Sequence, residues 1–253
     1  MLALRSILFQ VVFYANTIVW LIAILPTLAM PRKAIVRVAQ AWGSVSLWLL
    51  RTIVGTRIEY RGRERIPEGA LLVAAKHQSF ADIHALLPLF CDPTFVLKRE
   101  LTFIPLFGPL ALKARMIAVD RKRGAAAIAG MNRQALAAMA AGRQILIYPE
   151  GTRRPPGAEP AYRQGVGHLY RTLDVTCLPV ALNSGLYWPR RRALIRPGTI
   201  VVEFLEPIPP GLERAEFLER LEREIETASN RLLAEAGRSV EHRTGTEPAA
   251  RGT

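Results

Sequence analysis

The chain has 253 residues, half of them hydrophobic, and its 34 Lys and Arg against 21 Asp and Glu give a formal net charge of +13. This length suits one large α/β domain with a sizeable core. A basic surface favours a phosphate-rich partner, either a nucleic acid or an anionic membrane. The sequence shows neither a zinc-type Cys/His cluster nor a recognisable nucleic-acid module, so we expect a membrane partner and no nucleic acid.

The N-terminal segment is apolar and long. Residues 7–30 carry no charge, and as a helix they would reach roughly 36 Å at ~1.5 Å per residue, against ~30 Å for a hydrocarbon core. Residues 38–50 would reach only about 20 Å, too short to span. A cleaved signal peptide is the alternative, but its apolar core is usually ~7–15 residues. We therefore expect residues 1–55 to form retained anchoring helices, which either span the bilayer or enter one leaflet as a hairpin.

Short apolar runs follow, and each is predicted to be a buried strand: residues 71–75, 116–119, 145–148, 178–181 and 200–204. Continuous apolar runs are typical of a sheet that is covered on both faces. The Ala-rich residues 125–141 are predicted to form a helix between two of these strands. This alternation predicts an α/β fold with a mainly parallel sheet flanked by helices.

The C-terminal part changes in composition. Residues 213–236 form a charged amphipathic pattern and are predicted to be a helix. From residue 237 to 253 the chain is polar, which favours a disordered tail. The sequence therefore divides into anchoring helices (1–55), one α/β domain (56–236) and a polar tail (237–253).

Three polar clusters directly follow predicted strands. His77 and Asp82 follow residues 71–75, Arg121 follows residues 116–119, and Glu150-Gly151-Thr152-Arg153 follows residues 145–148. The carboxyl ends of parallel strands meet at one edge of a sheet, where ligands bind. We therefore expect the three clusters to share one site.

His77 is the candidate base of this site. An imidazole of ordinary pKa can take a proton from a hydroxyl near neutral pH, and a carboxylate on its other nitrogen fixes the tautomer. Residues five apart lie roughly 140° apart on a helix, so Asp82 meets His77 only if His77 lies on the turn before the helix. Ser79 would then cap that helix. The alternatives are that Asp82 only favours the helix N-terminus, or that His84 is the base; we interpret His84 as a packing or surface residue.

Arginine and glycine in the other two clusters indicate an anion site. Glycine lets a ligand approach the backbone closely, and the planar guanidinium group matches phosphate oxygens. Arg121 and Arg153 are expected at neighbouring strand ends, where they would form a shared site. The alternatives are an ordinary polar loop around Gly151 and a surface ion pair between Arg121 and Asp120.

In their order along the chain, these motifs resemble the glycerolipid acyltransferase family, of the 1-acylglycerol-3-phosphate acyltransferase type. His77 and Asp82 match its His-x4-Asp motif, and residues 149–153 match its third motif. Residues 108–121 look like its second motif, and residues 178–185 are similar to its fourth. The resemblance implies that residues 56–236 are an acyltransferase domain.

The resemblance also implies a role for each site residue. His77 would deprotonate the acceptor hydroxyl, with Asp82 orienting it, and the alkoxide would attack an acyl thioester directly. The acceptor phosphate would be bound by a second group of residues: Arg121, Glu150, Gly151, Thr152 and Arg153. Gly108 and Pro179 would line the acyl or acceptor pocket.

The implied function is synthesis of phosphatidate from lysophosphatidate in phospholipid biosynthesis. The family needs no metal and no bound cofactor, since acyl-CoA or acyl carrier protein is a substrate. Both donors are intracellular, so the resemblance implies an active site on the cytoplasmic face of the inner membrane. Positive residues flank the apolar segment on both sides and leave its orientation open.

Two departures from the family pattern keep the acceptor open. Lys76 stands where the family often has Asn, and Arg154 stands where it often has Ser. Added positive charge would either tighten phosphate binding or indicate another lysolipid acceptor, such as a lyso-amino-acid lipid. An alternative of a different class is a membrane-lipid-binding protein without catalysis.

Overall fold

The structure, a computed structural model, describes residues 1–244 except for the side chains of Arg123 and residues 238–244. Its centre is one seven-stranded sheet in the order β1-β7-β6-β2-β5-β3-β4. The strands are β1 (Thr56–Arg61), β2 (Leu71–Ala75), β3 (Pro93–Lys98), β4 (Ile117–Val119), β5 (Gln144–Ile147), β6 (Cys177–Leu182) and β7 (Gly198–Phe204). All neighbouring pairs are parallel except β6 and β7, which are antiparallel.

Seven α-helices surround the sheet in the described residues. They are α1 (Leu2–Ala23), α2 (Arg32–Leu49), α3 (Ala81–Leu86), α4 (Phe107–Lys113), α5 (Ala125–Ala140), α6 (Gln164–Leu173) and α7 (Arg214–Thr244). Short 3-10 turns connect several of them.

Both faces of the sheet are buried, as the continuous apolar strands predict. In β2, Leu71 and Val73 pack with apolar residues of α1 and α3, whereas Leu72 and Ala74 pack with those of α5, α6 and α7. Successive side chains of a strand point to opposite faces, so every position of β2 must be apolar. The α/β fold with a mainly parallel sheet is confirmed.

The N-terminal helix α1 is apolar both on the side that packs against the sheet domain and on the side that faces outward. Phe9 and Phe13 are buried against the sheet domain, while Leu4, Leu8 and Val11 are more than half exposed. Together with the 3-10 turn Leu25–Ala29, α1 is the one helix of the described residues that is long and apolar enough to cross a membrane. Only 17% of its most apolar stretch of 18 residues is buried inside the protein. Pro26 and Pro31 lie at the bend before α2.

Three details differ from the sequence-based expectations. The strands β1 and β3 were not predicted, because β1 alternates charged and apolar residues at the edge of the sheet and β3 begins with a proline. The last helix extends to Thr244, beyond the expected start of the polar tail at residue 237. The remaining tail, residues 245–253, lies outside the described residues.

Candidate active site

The candidate site lies at the carboxyl ends of three adjacent central strands. β2 is hydrogen-bonded to β5 on one side and to β6 on the other. His77 follows β2, the loop from Tyr148 to Arg153 follows β5, and Ser184 follows β6. Because β2, β5 and β6 are parallel, these three loops meet at one edge of the sheet. The loops of His77 and Arg153 were expected there, whereas Ser184 was not.

His77 and Asp82 form a hydrogen-bonded pair. The His77 Nδ1 atom lies 2.8 Å from Asp82 Oδ2. His77 lies on the turn after β2, and Asp82 lies in the first turn of α3, which is the geometry that their five-residue spacing requires. The Ser79 hydroxyl accepts a hydrogen bond from the Ala81 N–H at 3.1 Å, but α3 begins one residue later than expected and its N-cap is Phe80 instead of Ser79. The Nε2 atom of His77 is therefore the ring nitrogen left to meet a substrate hydroxyl.

The Asp82 carboxylate is held by more than His77. Its Oδ2 atom accepts hydrogen bonds from the backbone N–H groups of Gln78 at 2.7 Å and Ser79 at 2.9 Å. The Ser184 hydroxyl donates to its Oδ1 atom. An ionised carboxylate only accepts hydrogen bonds, so these donors suit the charged form and fix its orientation.

The ring of Tyr148 supports the imidazole from one side. The two rings stack with centroids 3.9 Å apart and planes 15° from parallel. Burial, together with the nearby Asp82 charge, raises the pKa of the Tyr148 hydroxyl well above its ordinary value. Tyr148 is therefore a neutral platform that restricts rotation of the His77 ring.

His84, the rival base, has a packing role. Its Nδ1–H donates to the Phe80 carbonyl at 2.8 Å, and its ring packs against Trp42 with centroids 4.5 Å apart. Burial lowers the pKa of His84 to about 4. It is therefore neutral and enclosed near neutral pH, which agrees with its interpretation as a packing residue.

Arg121 reaches the third-motif loop, but not from a neighbouring strand. β3 lies between β4 and β5, so the expectation of adjacent strand ends was wrong because β3 had not been predicted. The long side chain crosses that gap, and its Nη1 atom donates to the Gly151 carbonyl at 2.9 Å. Gly151 has φ +66°, and a Cβ there would lie 2.7 Å from Arg121 Nη2. Glycine is thus required at this position both for its conformation and for the guanidinium contact.

Arg153 lies at the end of the same loop, against Phe80. Its guanidinium carbon is 4.1 Å from the centroid of the Phe80 ring, a cation–π contact. Burial, followed by the charge of Arg190, lowers the pKa of Arg153, and Asp82 acts in the opposite direction. Arg190 donates from Nη1 to both the Thr152 hydroxyl and the Arg153 carbonyl, each at 3.0 Å.

Glu150 points into the protein and not toward an acceptor. Its side chain is 2% exposed and lies 3.2 Å from the Lys76 Nζ atom, which is also buried. Lys76 donates a second, shorter bond of 2.6 Å to Glu226 of α7. Burial raises the pKa of Glu150, and Lys76 opposes the rise. We therefore correct its expected role from phosphate ligand to internal support of the loop.

Gly108 and Pro179, the expected pocket residues, are both buried. Gly108 packs so closely on the turn before α4 that a Cβ would lie 2.0 Å from the Thr102 carbonyl oxygen. Pro179 lies inside β6 beside Ala74 of β2. Both positions are enclosed by neighbouring backbone, and their contact with an acyl chain stays a prediction.

Several residues of the site were missed from the sequence. Besides Tyr148 and Ser184, these are Arg190 and Gln78, whose Oε1 atom accepts from the Gly185 N–H at 3.0 Å. One signal was available, because the polar triplet 183–185 directly follows an apolar strand and so occupies the same edge of the sheet. Arg190 lies in a loop with no such signal.

Comparisons with known proteins identify the family of the chain. The family model described as Acyltransferase matches residues 57–183. A 1-acyl-sn-glycerol-3-phosphate acyltransferase of Pseudomonas aeruginosa is 35% identical over 202 residues, which cover 79% of each chain. A protein of the same name from Cocos nucifera is 30% identical over 76% of this chain, which spans 63% of the coconut protein's length.

A solved structure shares the fold. The 1-acyl-sn-glycerophosphate acyltransferase PlsC of Thermotoga maritima superposes with a TM-score of 0.76 at 22% identity, covering 92% of this chain and 98% of that one. The family match spans β1 to β6 and includes the His77–Asp82 pair and the loop that ends at Arg153. The chain belongs to the acyltransferase family and is an acyltransferase.

Proposed function

We propose that this enzyme transfers an acyl group from a thioester to the free hydroxyl of lysophosphatidate, producing phosphatidate in phospholipid biosynthesis. The observation that carries the proposal is the His77–Asp82 pair, with the carboxylate fixed by two backbone N–H groups and by Ser184. The relatives named 1-acyl-sn-glycerol-3-phosphate acyltransferases support this acceptor.

The reaction follows from the geometry of the pair. His77 Nε2 accepts the proton of the acceptor hydroxyl while Nδ1–H stays bonded to Asp82, which stabilises the imidazolium that forms. The hydroxyl oxygen attacks the thioester carbonyl, the C–S bond breaks, and the imidazolium returns its proton to the thiolate. An ester and a free thiol result, without an acyl-enzyme and without metal or cofactor.

The acceptor phosphate is assigned to Arg121 and Arg153, with Gly151 and Thr152 shaping the loop between them. A phosphate monoester accepts several charge-assisted hydrogen bonds, and guanidinium groups match its geometry. The added charges at Lys76 and Arg154 do not argue for another acceptor. Lys76 pairs with Glu150 and Glu226 inside the protein, and Arg154 donates to the Glu159 carbonyl.

The acyl donor is proposed to be acyl-CoA or acyl carrier protein. The enzyme is proposed to act at the cytoplasmic face of the inner membrane. Support for membrane attachment comes from α1, whose outward side chains are apolar and exposed. The inward side of α1 is bonded to the sheet domain, since Ser6 donates to the Ile195 carbonyl at 3.1 Å and Gln10 to the Ala193 carbonyl at 2.7 Å. A helix held in this way enters one leaflet beside the domain, so we favour that arrangement over a span.

The anchor is tested without disturbing its packing. We expect Leu8→Gln combined with Val11→Gln to weaken flotation of the protein with anionic phospholipid vesicles, because each change removes exposed apolar surface that would insert into lipid. A matched control changes the exposed apolar Leu136 of α5 to Gln. Equal flotation of the two variants would remove α1 from its anchoring role.

The reaction is tested with purified protein, lysophosphatidate and acyl-CoA or acyl carrier protein. We expect thioester-dependent formation of phosphatidate by the wild type and by His168→Ala, a partly exposed histidine beside Arg214. His77→Ala should lower the rate at least about 100-fold, the usual contribution of a general base. Turnover by His77→Ala at the wild-type rate would remove His77 from catalysis, and acylation of a lyso-amino-acid lipid alone would replace the acceptor.

A further inference from the structure

A cavity of ≈ 310 Å³ lies between α1 and the loop of residues 188–193. Among the described residues that line it, none is acidic and four are arginines: Arg153, Arg190, Arg191 and Arg192. Its other walls include the aromatic rings of Phe13, Tyr14, Phe80 and Trp188. A cavity with this lining suits an anionic group attached to an apolar body.

The cavity adjoins the catalytic pair through several contacts. Phe80, which forms one wall, lies three residues after His77, and its ring makes a cation–π contact with the Arg153 guanidinium group. The Arg154 N–H donates to the His77 carbonyl at 2.8 Å, so the arginine loop is tied to the base. Trp188, another wall residue, packs edge-on against Phe13 of α1 with ring centroids 5.0 Å apart. A ligand in the cavity would therefore contact α1 and Phe80, which is three residues from His77.

Arg190 is fixed in a position to share a ligand with Arg153. Both of its described hydrogen bonds start from Nη1 and end on the Thr152 hydroxyl and the Arg153 carbonyl. A guanidinium group has five N–H donors on three nitrogens, and the Nε and Nη2 donors take no part in these two bonds. The mutual repulsion of Arg190 and Arg153, which contributes to lowering the Arg153 pKa, would be relieved by an anion between them.

We propose that Arg190, together with Arg153, binds the phosphate monoester of the lysolipid acceptor in this cavity and thereby selects a phosphorylated acceptor. The inference rests on the proposed function and adds to it a residue outside the four sequence motifs. The phosphate lies among these arginines, and Arg121, which does not line the cavity, acts through the Gly151 loop that it holds. The acyl chain of the acceptor leaves along Tyr14 toward the exposed apolar side of α1.

The test compares two acceptors in neutral detergent micelles: 1-acylglycerol 3-phosphate and 1-acylglycerol, which lacks the phosphate. We expect Arg190→Gln to raise KM for the phosphorylated acceptor about 10- to 100-fold, the effect of losing charge-assisted hydrogen bonds to phosphate. KM for the thioester and the rate with 1-acylglycerol should stay unchanged. Arg190→Lys keeps a charge in the cavity and should recover part of the preference.

The matched control is Arg196→Gln. Arg196 lies six residues further along the chain and is exposed. Its described hydrogen bonds involve only its backbone N–H and carbonyl groups. The variant removes the same charge and should keep the wild-type KM for both acceptors. A similar KM for Arg190→Gln and Arg196→Gln would overturn the inference. Equal losses with both acceptors would also overturn it, because they would show that Arg190 only supports the loop.

Binding without turnover separates this inference from the proposed function. Calorimetry with glycerol 3-phosphate measures the headgroup site alone, and Arg190→Gln should bind it about tenfold more weakly than Arg196→Gln. If the wild type does not acylate lysophosphatidate but shows this difference, the acceptor assignment fails and the phosphate site stands. If Arg190→Gln loses activity only on anionic vesicles, its partner is the bilayer surface and the inference is refuted.

Discussion

Replacing Lys76 by Met tests whether the buried ion cluster supports the catalytic edge of the sheet. Lys76 directly precedes the proposed base His77, and its ammonium group lies 3.2 Å from Glu150 and 2.6 Å from Glu226. The Tyr162 hydroxyl donates to Glu226 at 3.0 Å and closes the cluster. Through these contacts α7 is connected to the ends of β2 and β5.

The expected loss of stability follows from the burial of the partners. Breaking a buried ion pair costs about 3–5 kcal/mol, because one charge is left unpaired. Glu226 is 15% exposed and keeps its bond to Tyr162, so we expect about 3 kcal/mol for Lys76→Met, near the low end of that range. In a domain of this size, that amounts to a fall of about 6–12 °C in Tm.

The effect should depend on pH in a defined direction. Burial raises the pKa of Glu150 and Lys76 opposes the rise, so removal of Lys76 raises this pKa further. A carboxyl whose folded pKa exceeds its unfolded one loses stability as pH rises through the folded value. Lys76→Met should therefore lose more stability at pH 8 than at pH 5, relative to the wild type.

Urea unfolding in detergent measures these differences, with Lys98→Met as the control because Lys98 is exposed at the end of β3. Adding Glu150→Gln to Lys76→Met should recover part of the loss, since it removes the unpaired carboxylate. The reasoning is refuted if Lys76→Met is as stable as Lys98→Met at pH 8. It is also refuted if its loss is the same at both pH values.

Three further substitutions probe single contacts. Gly151→Ala should raise KM for the acceptor, since its Cβ would lie 2.7 Å from Arg121 Nη2, whereas Gly157→Ala has a similar φ and open space for a Cβ; equal kinetics would contradict the Arg121 contact. Ser184→Ala should lower kcat about three- to tenfold, the effect of ~1 kcal/mol lost from the hydrogen bond to Asp82, and an unchanged kcat in steady-state assays would count against it. As pH falls from 6.5 toward 4, the free energy of unfolding of the wild type should fall by about 3 kcal/mol relative to that of His84→Gln. The reason is that burial lowers the pKa of His84 to about 4, so protonation favours the unfolded chain. An equal pH dependence of the two proteins in urea unfolding would argue against this.

The fold was predictable where the local pattern and the tertiary environment agree. β2 is apolar at every position because helices cover both faces of the sheet. β1 was missed because it is an edge strand whose alternate residues, including Arg57 and Glu59, face solvent. The antiparallel return of β7 beside β6 depends on long-range pairing, which the apolar pattern of residues 200–204 does not encode.

The proposed catalytic pair was predictable because its geometry is local. His77 and Asp82 are five positions apart, and one strand-to-helix turn decides whether they meet. The residues proposed to bind phosphate depend instead on how distant loops fold together, as Arg121 and Gly151 do across 30 residues. Glu150 shows the same limit, since a motif position indicates neither the direction of a side chain nor a partner such as Glu226, 76 positions further along the chain.

The anchoring segment and the catalytic domain, separate in the sequence, are one packing unit in the structure. Phe9 and Phe13 of α1 are buried and belong to the same core cluster as Val73 of β2 and Trp188. The other side of α1 exposes apolar residues that a bilayer would cover. If α1 attaches the protein to a membrane as proposed, a helix that packs on the domain with one side and contacts lipid with the other would fix the distance between the bilayer and His77. The acceptor would then reach the proposed base while its acyl chain remained partly in the membrane, so the proposed anchor would also serve substrate access.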